Sequence, residues 1–325
     1  MARASVVLCS YNQAKFLRHS IESALGQTHA DTEVVLVDNG SKDESHAIAR
    51  SYAGAPRMKI ILHDANEPIT RRLNEGIRAS TGDFVSILYS DDFYLPHKLA
   101  SQVALFAPLS DAYGVVHSPG LRLDVDTNEQ WEESCATVEG NVLRDLLLYD
   151  AAIHPITPLV RRRCFEDFPF DEELFVEGEA IFTRFSMKYL FRYDPTPTAV
   201  MRDHGGNIGR AIRRNAEMGL IFFDKLGRAP EFPEAARDAL FDQRVRLYRG
   251  AAWQGIRIVQ DRAWARRMAL GALRLRPSLV KDPKILATLA FSVAPRAATT
   301  ALNHVVERVR GRRGHRNYVA EERLT

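Results

Sequence analysis

The sequence predicts an α/β fold with a mainly parallel sheet flanked by helices, followed by a helical C-terminal extension. Three observations predict it. Short apolar runs alternate with amphipathic stretches through the first hundred residues. Acidic residues stand directly after several of those runs. From about Asn215 onward the pattern is helical throughout.

The elements follow in order. Ser5-Val6-Val7-Leu8-Cys9 reads as a buried strand, followed by Ser10-Tyr11-Asn12. A helix is expected from Lys15 to about Leu25, with Phe16, Leu17, Ile21, Ala24 and Leu25 on one face. Glu33-Val34-Val35-Leu36-Val37 is a second strand, ending at Asp38-Asn39-Gly40-Ser41-Lys42-Asp43. Gly40 permits a tight turn there, and Asp43 or Ser41 is placed to cap a helix beginning near Glu44. Met58 to Leu62 is a third strand, ending at His63-Asp64. Ile69 to Ala79 is a helix, and Gly82 to Leu88 a fourth strand. Short connections between alternating strands and helices imply parallel pairing, so Asp38, Asp64 and Asp91-Asp92 all fall at C-terminal strand ends. That edge is where open α/β sheets place their ligands.

The run Phe84-Val85-Ser86-Ile87-Leu88 closes in Tyr89-Ser90-Asp91-Asp92, and Phe93-Tyr94-Leu95-Pro96 then turns the chain away. Two adjacent carboxylates repel, and a hard divalent cation such as Mg2+ or Mn2+ relieves that repulsion.

In order and spacing, several segments resemble the inverting family 2 glycosyltransferases of the GT-A fold. They are Cys9-Ser10-Tyr11-Asn12, Val37-Asp38-Asn39-Gly40-Ser41-Lys42-Asp43, Leu73-Asn74-Glu75-Gly76 through Gly82-Asp83, Ser90-Asp91-Asp92 with Pro96, Phe170-Asp171-Glu172, and Arg202-Asp203-His204. The resemblance spans roughly residues 3 to 225. It implies that Asp38 accepts the N3–H of uracil or thymine, that Tyr11 stacks near the base, and that Ser10 and Asn12 hold the ribose. Asp64 would lie beside base and ribose. Asp91 would contact the ribose or the metal's water shell, and Asp92 would bind Mn2+ or Mg2+ bridging the two phosphates. Members of the family often read Asp-x-Asp-Asp here; this chain has Tyr89 at the first position.

Inversion is a direct displacement and needs a carboxylate to take the proton of the attacking hydroxyl. By the resemblance that base lies shortly after the Phe-Asp-Glu turn, where Glu177 and Glu179 flank Gly178. Glu179 is the expected base and Glu177 the alternative; either also suits a helix N-terminus. The resemblance further implies His204 as a metal or pyrophosphate contact, Arg210 as a phosphate contact, and His154, in His154-Pro155-Ile156-Thr157-Pro158 before a strand at Leu159-Val160, as an acceptor contact.

Composition fits an enzyme. Of 325 residues 46% are hydrophobic and 26% charged, and the net charge of +3 is too small to imply nucleic acid. Cys9, Cys135 and Cys164 form neither a metal pattern nor a disulfide framework, which suits a reducing compartment. The first strand begins by residue 5, leaving no room for a signal peptide, and no apolar run reaches the roughly 20 residues of a membrane span. A cytoplasmic enzyme at the inner face of the membrane is the expectation.

The expected organisation is a catalytic domain over 1–214, with a nucleotide-binding half to residue 100 and an acceptor-binding half after it. A helical region covers 215–295 and a basic tail 296–325. Arg244 to Arg276 interleaves arginines with Trp253, Trp264 and aliphatic residues, which suits either a packed helix pair with a basic outer face or a membrane-surface helix. The tail holds seven arginines against three glutamates and would attract anionic lipid.

The expected activity is non-processive transfer of one sugar from a UDP- or dTDP-sugar to a glycan or glycolipid hydroxyl, in polysaccharide biosynthesis. The processive members' Gln-x-x-Arg-Trp motif is missing. A nucleotidyltransferase would need a Gly-rich basic loop after the first strand, and Cys9 to Gln13 is not one. A non-catalytic nucleotide-sugar-binding protein on the same fold is the third reading.

Overall fold

The computed structural model describes residues 2–133, 135–148, 152–174, 177–178, 180–207 and 211–295. By internal contacts the chain separates into Met1–Asp203 and His204–Thr325.

The first unit opens with β1 (Ala4–Ser10), α1 (Ala14–Leu25), β2 (Thr32–Asp38), α2 (Ser45–Arg50), β3 (Met58–Leu62), α3 (Ile69–Ala79) and β4 (Phe84–Tyr89). It continues with β5 (Phe93–Tyr94), α4 (Lys98–Phe106), β6 (Tyr113–His117), β7 (Gly120–Asp124), β8 (Gln130–Glu133) and α5 (Leu143–Leu148). It closes with β9 (Leu159–Arg161), α6 (Arg162–Asp167), α7 (Ala180–Phe185), β10 (Leu190–Tyr193) and β11 (Ala199–Asp203). The main sheet has the order β10-β6-β9-β4-β1-β2-β3; β9 runs antiparallel to both its neighbours and the other pairs are parallel. A second sheet has the order β5-β11-β7-β8.

Every residue of β1 is buried, because the sheet is covered on both faces. Val7, Cys9, Val35, Val37, Val85 and Ile87 point to one face, where Leu73 and Ile77 of α3 and a group of phenylalanines pack. Val6, Leu8, Val34 and Leu36 point to the other, against Leu17, Ile21 and Ala24 of α1. Each buried Leu or Ile contributes about 1.5–3 kcal/mol. Gly76 brings α3 onto β1: a Cβ there would stand 2.4 Å from Val7 Cγ1.

The register sets the site. Ser10 pairs with Asp38, Asp38 with Leu62 and Cys9 with Tyr89, so the residues after β1, β2, β3 and β4 emerge along one edge.

The second unit holds α8 (Ile212–Arg228), α9 (Arg237–Gln254), a π-helical turn (Gly255–Val259), α10 (Arg262–Leu275) and α11 (Pro283–Val293). Asp261 caps α10 by accepting from Trp264 N, and Asp282 caps α11 by accepting from Lys284 N and Ile285 N. Trp264 is fully buried with Ala216 and Ala251, so it is a core residue and does not face lipid. Among the described residues no helix is long and apolar enough to cross a membrane. The tail 296–325 lies outside the described residues.

Candidate active site

The loops after β1 and β2 are bound into one piece. Asn12 sits at φ +51°, donates from its backbone N–H to Ser41 Oγ at 2.9 Å, and accepts at Oδ1 from Lys42 N at 2.7 Å. Lys42 Nζ reaches Asp64 O at 2.7 Å. Gly40 adopts φ +78° with Ala65 backbone pressed against the position of a Cβ, so a side chain would not fit. Asp43 accepts from Ser45 N at 3.0 Å and from Ala14 N at 2.9 Å, tying α1 to the start of α2.

Asp38 is the principal departure from the sequence reading. It has no exposed surface. Its Oδ1 accepts from Ser41 N and from His46 Nε2, both at 2.8 Å, and its Oδ2 accepts from Ser41 Oγ at 2.7 Å. The carboxylate holds the Gly40 turn and does not present itself to a base. The neighbouring Asn39 is committed too, to Asn66, Glu67 and Arg72. Ser10 is buried, and its Oγ has no hydrogen-bond partner among the described residues. Tyr11 is 37% exposed and Asp64 is exposed, so these two remain on the open surface of the edge.

The acid pair follows β4. Asp92 is buried, and its Oδ1 accepts the backbone N–H of Arg202 in β11 at 2.9 Å. Burial and the charge of adjacent Asp91 push its carboxyl well above the usual range, which means that a second negative charge is costly there. Ser20 of α1 donates to Asp92 O. The Arg202 guanidinium lies over Phe16 and Phe93, donates to Asp91 O at 2.6 Å and meets His19 Nδ1 at 2.5 Å. Sequence reasoning did not find these contacts of Arg202. Its contacts lie 110 residues away, and no local pattern carries them.

The acceptor half is anchored on α3. Asn74 pairs with both backbone groups of Phe170, and Thr70 Oγ1 donates to Leu174 O at 2.8 Å. Glu177 is buried; Arg184 donates to its Oε1 at 3.0 Å and Asp171 N to its Oε2 at 2.7 Å. Burial raises its carboxyl and Arg184 lowers it, with the net direction upward. Gly178 follows at φ +53°. Glu177 therefore clamps the Phe170-Asp171-Glu172 turn to α7. Glu179 and Arg210 lie outside the described residues.

His154 is also buried. Its Nε2 lies 3.2 Å from Glu133 Oε2, and its ring fills the space beside Gly120. A direct acceptor contact by this side chain does not match that placement. Its neighbours Pro155 and Pro158 do reach an apolar hollow, which Tyr89, Phe170, Gly178 and Phe182 also line. His204 belongs to the second unit, where its Nδ1 accepts from Gly206 N at 3.1 Å.

Residues 5–152 match the sequence profile described as Glycosyl transferase family 2. The match covers just under half of the chain, and over that stretch the chain is similar to the family. An uncharacterised glycosyltransferase of Nostoc sp. is 36% identical over 146 residues, which are 44% of this chain and 44% of that protein. One from Rickettsia prowazekii is 30% identical over 178 residues, 52% of this chain and 54% of that protein. The chain thus spans about half the length of these relatives. Among solved structures, Staphylococcus aureus TarS 1-349 in complex with UDP-GlcNAc superposes with a TM-score of 0.66 at 16% identity, over 94% of this chain and 92% of that one. The mannosyltransferase PcManGT of Pyrobaculum calidifontis, in complex with GDP-Man and Mn2+, gives 0.57 at 18%, over 93% and 87%. The fold is therefore the GT-A fold, with a helical C-terminal region.

Among the described residues no three His, Cys, Asp or Glu side chains converge as a metal site. A site of two carboxylates still fits Mg2+ or Mn2+, which bind through one or two carboxylates together with substrate phosphates.

Proposed function

We propose that this chain transfers one sugar, with inversion and without processivity, from a UDP- or dTDP-sugar to a hydroxyl of a glycan or lipid-linked sugar. The observation that carries the reading is the Asp91-Asp92 pair at the end of β4, fixed from β11 by Arg202 N, in the stretch that is similar to family 2. The UDP-GlcNAc and GDP-Man complexes of TarS and PcManGT support a nucleotide-sugar donor.

In this reading Tyr11, Asn12 and Asp64 meet the nucleoside, with Ser10 beneath them. Asp38 acts at one remove, by holding the turn that carries Ser41 and Lys42. Asp92 with Asp91 would hold Mn2+ or Mg2+ together with the diphosphate; His204, as a metal or pyrophosphate contact, and Arg210, as a phosphate contact, enter this reading only through the family resemblance. When bound, the cation supplies positive charge against the charge that develops on the departing diphosphate. Glu179 accepts the acceptor's hydroxyl proton while the oxygen bonds to the anomeric carbon and the bond from that carbon to the diphosphate breaks. Glu177 positions this segment. The hollow beside Gly178 and Pro155 seats the acceptor in place of a contact from His154.

The test is incubation with UDP- and dTDP-sugars, with and without Mn2+, in the presence of candidate lipid-linked acceptors. Metal-dependent release of nucleoside diphosphate supports the proposal. Release of pyrophosphate in a parallel incubation with UTP or dTTP and a sugar 1-phosphate, or binding of the nucleotide sugars without turnover, overturns it.

A further inference from the structure

The two compact units differ sharply in charge. Residues 1–203 carry 20 Lys and Arg against 30 Asp and Glu, a formal net of −10. Residues 204–325 carry 24 against 11, a net of +13. The whole chain's +3 conceals both. An asymmetry of this size between parts of one chain points to a polyanionic surface as partner of the basic part.

The basic unit also carries most of the exposed aliphatic surface. Val280 is 57% exposed, Leu286 50% and Val293 73%, all within one stretch at the end of the described chain. Leu286 and Val293 stand seven residues apart on α11, so they share a helix face. Ala290 lies exposed between them. The opposite face, with Ile285 and Thr288, is buried in the helical core. On the adjacent α10, the exposed stripe reads Arg267, Leu270, Arg274.

We propose that this surface docks on an anionic lipid bilayer. Aliphatic residues that project from a basic helical unit match the interface, where apolar side chains enter the headgroup boundary and Lys and Arg meet lipid phosphates. Charge decides against the other occupants. A second copy meeting this surface through the same surface would bring +13 against +13, and the chain's own residues 296–325 are themselves basic. Single-stranded nucleic acid is bound on aromatic platforms, and this ridge is aliphatic. The inference does not depend on the sugar-transfer reading, because it concerns a different unit and a different ligand.

The experiment is co-sedimentation of the full chain with phosphatidylcholine vesicles, with and without roughly a third phosphatidylglycerol. Binding should require the anionic lipid and weaken at least tenfold between about 0.1 and 0.5 M NaCl. Leu286→Glu with Val293→Glu should weaken it on the order of tenfold or more, with melting temperature and any nucleoside diphosphate release unchanged. Arg267→Glu with Arg274→Glu, also on exposed positions, should weaken it by roughly fivefold or more per charge. Equal binding to neutral vesicles, no binding to either, or wild-type binding by both double variants overturns the proposal. So does lipid-free self-association that the α11 variant abolishes, or retention on RNA in place of vesicles.

Discussion

The Asn74 side chain makes both backbone hydrogen bonds of Phe170: Nδ2 donates to the carbonyl at 2.9 Å and Oδ1 accepts the N–H at 3.0 Å. Nδ2 also reaches Glu172 Oε1 at 2.9 Å. One buried amide thus joins the nucleotide half of the first unit to the turn that precedes the acidic segment. Asn74→Ala leaves two buried backbone groups unpaired, at a cost of about 2–4 kcal/mol. Urea unfolding measures it, and a loss below about 1 kcal/mol would show that the turn stands without the amide.

Asp92→Asn should lower turnover by on the order of a hundredfold or more, as when a charge clamp on the transition state is lost. Full activity of that variant, or of the wild type in EDTA, removes the cation from the mechanism. Arg202→Met keeps the backbone N–H to Asp92 but takes away the bonds to Asp91 O and His19. Mn2+ affinity in the presence of UDP, read by electron paramagnetic resonance, should fall by roughly tenfold, as for loss of a charge-assisted bond. Unchanged affinity would make Arg202 a packing residue only.

The two glutamates should separate by readout. Glu177→Gln breaks a buried pair with Arg184 and should cost about 1–3 kcal/mol while leaving kcat within a few-fold. Glu179→Gln should abolish kcat with donor affinity nearly unchanged. A dead, stable Glu177→Gln with an active Glu179→Gln reverses the assignment.

Asp38→Ala should weaken UDP and CDP binding alike, because its carboxylate is engaged by Ser41 and His46. Losing charged hydrogen bonds should also cost about 1.5–3 kcal/mol. If the variant instead loses its preference for UDP over CDP, the carboxylate reads the base directly after all.

His117 gives a pH prediction. It is fully buried, with Nε2 against Val138 O at 2.9 Å, and burial lowers its pKa to about 4. The unfolded value is about 6.5, so between those values the unfolded chain binds more protons, and stability rises with pH. The contribution is complete above about pH 6.5 and shrinks as pH falls, levelling near pH 4. Between pH 7 and 5 the wild type should lose about 2 kcal/mol that His117→Phe does not lose. Parallel losses in the two proteins would refute this.

The parallel core was legible because each strand is a dense apolar run. The four strands read at 5–9, 33–37, 58–62 and 82–88 appear as β1 to β4, and the helix read at 69–79 appears as α3. The second sheet was not legible. β5 is two residues long, and β8 holds a single large apolar residue, Trp131, so no alternation announces either. The antiparallel β9 was read as a strand, but its direction depends on partners far along the chain. At the site, residue types pointed to the acid pair, and the Glu177/Glu179 segment came from the family resemblance alone. They did not give which side chains turn inward. Asp38 and His154 were read as ligand contacts, and both are buried against polar partners that only tertiary packing supplies.

The sheet order also governs when the site can exist during synthesis. β9, at 159–161, lies between β4 and β6, and among the described residues β5 pairs with no strand but β11, at 199–203. A nascent chain that has just completed residue 152 holds all of the stretch that matches the family profile, yet its main sheet has a gap and Asp92 lacks the N–H of Arg202. The stretch that matches the profile is therefore shorter than the stretch that completes the two sheets. A chain released at residue 152 should expose the apolar edges of β4 and β6 and aggregate, whereas one released after β11 has every strand of both sheets.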